Sequence, residues 1–135
     1  MFARTKRNGF SLVELVVVVL IIGILAAVAA PRMFDTAGDA RQSGTKQSLA
    51  VVRSAIEMYK AQNGNFPAAA TIKTDLRTFL KGPFPRVQVG SNQNDNIAPT
   101  SQSTITNPEA GGAGWAYNET TGEFVINEAP FITTW

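Results

Sequence analysis

Residues 1–31 read MFARTKRNGFSLVELVVVVLIIGILAAVAAP. A basic head, with Arg4, Lys6 and Arg7, leads to Gly9-Phe10, and an apolar run follows that carries a single carboxylate, Glu14. At 1.5 Å per residue, a helix from Phe10 to Ala30 reaches about 31 Å, enough for a hydrocarbon core of about 30 Å. Val16–Val19 and Ile21–Ile22 are poor helix formers in water, but in lipid the cost of unsatisfied backbone makes helix the only outcome. The basic head precedes the run, so the expected orientation keeps the N-terminus cytoplasmic and sends the bulk of the chain across. A charge near the centre of such a helix costs about 2.5–3.5 kcal/mol on insertion scales, which marks Glu14 as a functional residue.

Composition narrows the chemistry. A chain of 135 residues suits one small domain with an appendage. It has no cysteine and no histidine, which excludes disulfides, thiolate metal sites and the commonest general base. Carboxylates, hydroxyls and carbonyls remain as ligands, a donor set that favours hard cations such as calcium. No enzyme reading emerges. The formal charge of +2 belongs to the head: without Arg4, Lys6 and Arg7, acidic side chains outnumber basic ones. No basic cluster is left to neutralise phosphates, so nucleic-acid binding is not expected.

The N-terminal stretch admits three readings. An ordinary secretory signal has support in the basic head and in Ala27-Val28-Ala29, an A-x-A site that would release an exported soluble binding domain after Ala29 or Ala30. Its apolar stretch is too long for that use, and a glutamate near the start is disfavoured. A plain single-pass anchor explains length and orientation but leaves Glu14 without a purpose. The third reading is more specific. Gly9-Phe10-Ser11-Leu12-Val13-Glu14, the apolar run and Pro31 together resemble the signal of type IV pilins and type II secretion pseudopilins. That resemblance implies cleavage between Gly9 and Phe10 by a prepilin peptidase and N-methylation of Phe10.

The resemblance has a physical logic. Between Phe10 and Pro31 there is no lysine or arginine, so Glu14 has no cationic side chain within its own segment. Cutting after Gly9 creates a cation, the α-amino group of Phe10, and methylation keeps its charge. A buried amine–carboxylate pair interacts strongly, and one member left alone costs several kcal/mol, so the pair suits register more than stability. The family implies that Glu14 of one subunit meets the Phe10 amine of a neighbour; self-pairing from i to i+4 stays open as well. Gly9 lets a peptidase cleft approach a backbone without Cβ. Pro31 removes an i→i−4 hydrogen bond and is expected to kink the helix, while Gly23 suits close helix packing.

Beyond Pro31 a polar, helix-compatible stretch runs to Asn63. Leu49, Val52, Ile56 and Tyr59 recur on one face, and Arg41, Lys46, Arg53 and Lys60 lie mostly off it, as a solvated face would. Asn63-Gly64 stops the helix and Phe66-Pro67 keeps it from resuming, so one nearly continuous helix of about 80 Å is expected from Phe10. Thr74–Gly82 reads as a short helix with a threonine cap and a glycine stop. Residues 90–114 read as a long surface loop. Trp115-Ala116-Tyr117, Asn118–Gly122 and Phe124-Val125-Ile126 read as a β-hairpin, with Phe131, Ile132 and Trp135 covering its edge or adding a strand. Trp115 and Tyr117 are expected in the head core.

The expected fold is therefore α+β: a long N-terminal helix, transmembrane in its first half, packed on a small antiparallel β-sheet head, pilin-like. Its parts are a leader at 1–9 that is removed, a transmembrane and filament-core helix at 10–31, an amphipathic continuation at 32–63, and a head at 64–135 with the loop 90–114 and the hairpin 115–127. Asn-Gly-Asn-Phe-Pro after the helix and Gly-Trp-Ala-Tyr-Asn…Thr-Gly-Glu-Phe also resemble pseudopilin heads. Major pseudopilins often bind calcium in the C-terminal part. Here Asp95, Glu109, Glu119, Glu123 and Glu128 lack ligand-loop spacing and read as solvated loop acids, so no metal or cofactor is assigned, calcium being what the resemblance allows.

By resemblance the chain is a structural subunit, first of a type II secretion pseudopilus, alternatively of a type IV or DNA-uptake pilus. Its implied partners are copies of itself in a helical filament, the prepilin peptidase/methyltransferase and an inner-membrane assembly platform. The implied location is the bacterial inner membrane, single-pass, head outward, and then the filament.

Overall fold

A computed structural model describes residues 9–135; the basic head Arg4, Lys6 and Arg7 lies outside the described residues. Helix α1 spans Leu12–Asn63, 52 residues with Pro31 inside it. Its stop is chemical. Gly64 takes φ +81°, a left-handed conformation that glycine enters without penalty, and its N–H reaches the Lys60 carbonyl at 2.8 Å. The chain divides into two compact units, up to Ala37 and from Gly38 onward.

From Leu12 to Met33 the apolar side chains of α1 are exposed. Leu12, Val16, Leu20, Ile24 and Val28 are all exposed, as are the apolar residues between them. This stretch is long and apolar enough to cross a membrane, and none of it is buried within the chain. An apolar surface of this extent marks a contact with lipid or with other chains.

The second unit holds the head. After α1 come the short helix α2 (Ile72–Asp75), a 3₁₀ turn (Leu76–Thr78), β1 (Ile97–Pro99), β2 (Trp115–Tyr117), β3 (Phe124–Ile126) and a last short helix α3 (Phe131–Thr134). The sheet order is β1-β2-β3. β2 and β3 form the expected antiparallel hairpin, with Trp115 opposite Ile126 and Tyr117 opposite Phe124. β1 pairs with β2 in parallel, Ala98 opposite Ala116, so the sheet is mixed where an antiparallel one was expected. A parallel neighbour needs a long crossover, and the connection between Pro99 and Trp115 supplies it without any regular element.

β1 lies inside the stretch 90–114 that composition marks as loop. It is three residues long and ends in a proline, which an edge strand tolerates. The first head helix also begins earlier than Thr74: Thr71 stands at its N-cap, with its hydroxyl on Asp75 at 2.7 Å. The C-terminal residues form α3 and not a strand.

Strand alternation sorts the core into two layers. Trp115, Tyr117, Phe124 and Ile126 face α1 and pack with Leu49, Val52 and Ile56, and with Ile72, Leu76 and Val87. Ala116 and Val125 face the other way, where Ile105 from the long connection and Ile132 from α3 cover them. Both polar aromatic tips reach proline carbonyls: Trp115 Nε1–H donates to Pro85 O and Tyr117 O–H to Pro67 O, each at 2.9 Å. The two proline-bearing turns are thereby pinned to the centre of the sheet. Burial, with Glu119 nearby, pushes the Tyr117 phenol well above its ordinary range, which keeps it a donor.

Candidate functional site

Gly9, Phe10 and Ser11 precede the first helical residue. Among the described residues nothing beyond its chain neighbours crowds a Cβ on Gly9, and Phe10 is 84% exposed. The Gly9–Phe10 bond therefore sits outside α1 on accessible backbone.

What ends the helix there is a reciprocal cap. Ser11 Oγ accepts the N–H of Val13 at 3.3 Å, and Glu14 Oε2 accepts the N–H of Ser11 at 3.1 Å. The Ser11 carbonyl takes the first helical bond, from Leu15 at 3.2 Å. Ser11-Leu12-Val13-Glu14 is thus a capping box, which satisfies two of the four N–H groups that a helix start leaves orphaned. Its S-x-x-E signature stands in the sequence at Ser11 and Glu14, so the cap is legible there beside the charge of Glu14. A carboxylate has about four acceptor positions, so the cap leaves chemical room for an amine.

Pro31 lies within α1, helical on both sides. Lacking an N–H, it cannot donate to the Ala27 carbonyl. Gly23 leaves open space where a Cβ would stand.

Of the α1 cations read as a solvated face, Arg41, Lys46 and Lys60 are exposed as expected, and Arg53 departs from that reading. Arg53 is half-buried; its Nε donates to Phe124 O at 2.9 Å and its Nη2 to the backbone oxygen of Trp135 at 3.2 Å. Burial lowers its guanidinium pKa from the ordinary value, with Glu123 opposing the shift. Lys46 lies 4.5 Å from the Trp135 ring centroid and Lys60 4.0 Å from that of Phe66, close enough for cation–π attraction. Arg41 remains on an exposed face. Asp95 pairs with Lys73 at 2.8 Å on the surface, and hydrogen bonding from Lys73 holds its carboxyl below the ordinary range.

The acids read as solvated are engaged as well. Glu119 accepts from the Ala69 N–H, Glu123 from that of Ile105, and Glu128 from that of Ser91. Two buried asparagines complete the network. Asn118 follows β2 and donates to Gln102 O, while Asn127 follows β3 and spans Glu109 and Ala113. Among the described residues, no buried side-chain polar atom lacks a partner.

The profile described as a prokaryotic N-terminal methylation motif matches residues 4–30. Together with the long helix, apolar in its first half, and the small α+β head, this motif defines a pilin-like chain with a prepilin-type N-terminus. The chain is similar to proteins named as type II secretion system core proteins and as a type IV pilus component. The chain is 35% identical over 80 residues to the type II secretion system core protein G of Pseudomonas aeruginosa, covering 59% of this chain and 54% of that protein. To the protein of the same name from Escherichia coli it is 30% identical over 83 residues, 62% of this chain and 55% of that one. To the type IV narrow pilus major component PilA5 of Thermus thermophilus it is 40% identical over 62 residues, 46% and 53% of the two chains. The chain spans about half the length of the curated relatives it matches. No solved structure matches it significantly.

Proposed function

We propose that this chain is the precursor of a filament subunit, first of a type II secretion pseudopilus. It acts as a structural protein and a substrate of processing, not as an enzyme. The precursor inserts in the bacterial inner membrane with its N-terminus cytoplasmic and its head outward. A prepilin peptidase cuts between Gly9 and Phe10, removes the leader and methylates Phe10. An inner-membrane platform then moves copies of the mature chain into a helical filament. Residues 10–31 form its core, 32–63 extend it, and the head from 64 to 135 forms its surface. Pro31, which has no N–H to donate to the Ala27 carbonyl, gives the helix a place to kink on leaving the bilayer.

One observation carries this reading: an accessible Gly9–Phe10 bond lies just before a capped apolar helix with the acid Glu14 in its first turn. The named relatives support it. Mass spectrometry of the mature N-terminus is the test: the expected product begins at N-methylated Phe10, and Gly9→Val stays at precursor length. A product beginning at Ala30 or Pro31 would instead establish ordinary signal cleavage and a released soluble domain. Similarity to PilA5 supports the second reading, a type IV or DNA-uptake pilus subunit. Deleting the gene then abolishes pilus-dependent motility or DNA uptake and leaves protein secretion intact.

A further inference from the structure

The acids of the head have found partners inside the head, and the partners are mostly backbone. Glu128 follows β3, and its two carboxylate oxygens lie 2.8 and 2.7 Å from the Ser91 nitrogen, with the Asn92 N–H at 3.4 Å. Gly90 wraps this carboxylate closely: φ is +70°, and a Cβ there would lie 1.9 Å from Glu128 Oε2. Such successive N–H groups make an anion-binding concavity, here filled by the chain's own side chain. Glu123 Oε2 holds the Ile105 N–H at 2.8 Å. Glu109 Oε1 takes the Thr100 hydroxyl and, at 2.8 Å, the Gln102 amide. Glu119 Oε2 holds the Ala69 N–H at 2.8 Å, and Asp95 is paired with Lys73.

These contacts have a common layout. Glu119, Glu123 and Glu128 flank the strands of the hairpin, and each reaches out to a segment without regular structure. The segments after α1, around Ser91 and around Ile105 are thereby fastened to the sheet. Calcium would do the same work differently, gathering six to eight oxygens at about 2.3–2.6 Å. The head's carboxylates are spread apart and already taken. Among the described residues no three acidic groups come together, and Glu109, Glu119, Glu123 and Glu128 each hold N–H or O–H donors where an ion would need free oxygens.

We propose that this head fixes its loops with internal carboxylate-to-amide ties in place of a calcium ion, and folds and assembles without one. The inference is independent of which filament the chain builds.

The test uses the full chain in detergent micelles, with unfolding followed by the fluorescence of the fully buried Trp115. Melting curves in millimolar calcium chloride and in excess EGTA are expected to superimpose. A midpoint several degrees higher in calcium overturns the proposal. Glu128→Ala is expected to lower the midpoint by several degrees equally in both buffers. Glu128→Gln, which keeps one acceptor oxygen, should fall between that variant and the parent. A Glu128→Ala protein that melts like the parent overturns the tie, and one rescued by calcium overturns the exclusion of the ion.

Discussion

Glu14 closes the capping box on Ser11 in the uncut chain, and under the proposed function the same carboxylate pairs with the amine that cleavage after Gly9 creates. The two roles separate by substitution. Glu14→Val removes both; it should insert and be cut after Gly9, yet yield no sheared filaments. Glu14→Gln keeps an acceptor for the Ser11 N–H and loses only the charge. If the ion pair governs assembly, Gln fails as Val does; normal filament yield from either variant contradicts the pairing. Arg53 makes the complementary point in the head. Off the apolar stripe it reads as a surface charge, yet its long stem lets the guanidinium reach two backbone oxygens. Replacing it with alanine should cost about 1.5–3 kcal/mol, the range for hydrogen bonds to charged groups, read as a shift in the urea midpoint. Helical spacing located Arg53 on the helix, but its partners Phe124 and Trp135 are far away in sequence and leave no local signal.

At the scale of elements, legibility follows the range of the interactions. Helix α1 and the β2–β3 hairpin are encoded locally: periodicity, the Asn63-Gly64 stop and the loop from Asn118 to Gly122 were enough to place them. The apolar stripe Leu49, Val52 and Ile56 is buried as its spacing predicts. β1 is different. Its three residues have no alternation to read, and its pairing with β2 is chosen by a crossover that only tertiary contacts organise. That crossover depends on Asn127, which is 1% exposed and accepts the Glu109 N–H at 2.6 Å while donating to Glu109 O and Ala113 O. The composition of 90–114 speaks of loop, and nothing in it reports an asparagine beyond the hairpin that holds the loop in one conformation. Asn127→Ala leaves those backbone groups unsatisfied at about 1–3 kcal/mol. It should also raise amide exchange across 105–114 well before the hairpin itself opens, measured by hydrogen exchange.

Across the whole molecule the acids divide by place. One stands in the apolar stretch of α1, where the proposed function uses it for assembly, and a set in the head holds N–H and O–H donors of its loops. This division makes the head's stability depend on pH in a definable direction. Hydrogen bonds from Thr100 and then Gln102 lower the pKa of Glu109 from its ordinary 4.5, and the bond from Lys73 lowers that of Asp95 from 3.8. A depressed carboxyl binds fewer protons folded than unfolded, so its contribution is complete above the unfolded pKa and is lost as pH falls through the folded one. The melting midpoint of the head should therefore stay level from neutral pH to about pH 5 and drop below it. Both groups lie near the surface, where solvent screening keeps each contribution small, and added salt should weaken the Asp95–Lys73 share in particular. Glu109→Gln distinguishes this account from general acid unfolding. The variant should start from a lower midpoint at neutral pH and lose less on acidification, because one of the groups that release stability no longer titrates. Parallel curves for Glu109→Gln and the parent, offset but equally steep below pH 5, would place the acid sensitivity elsewhere.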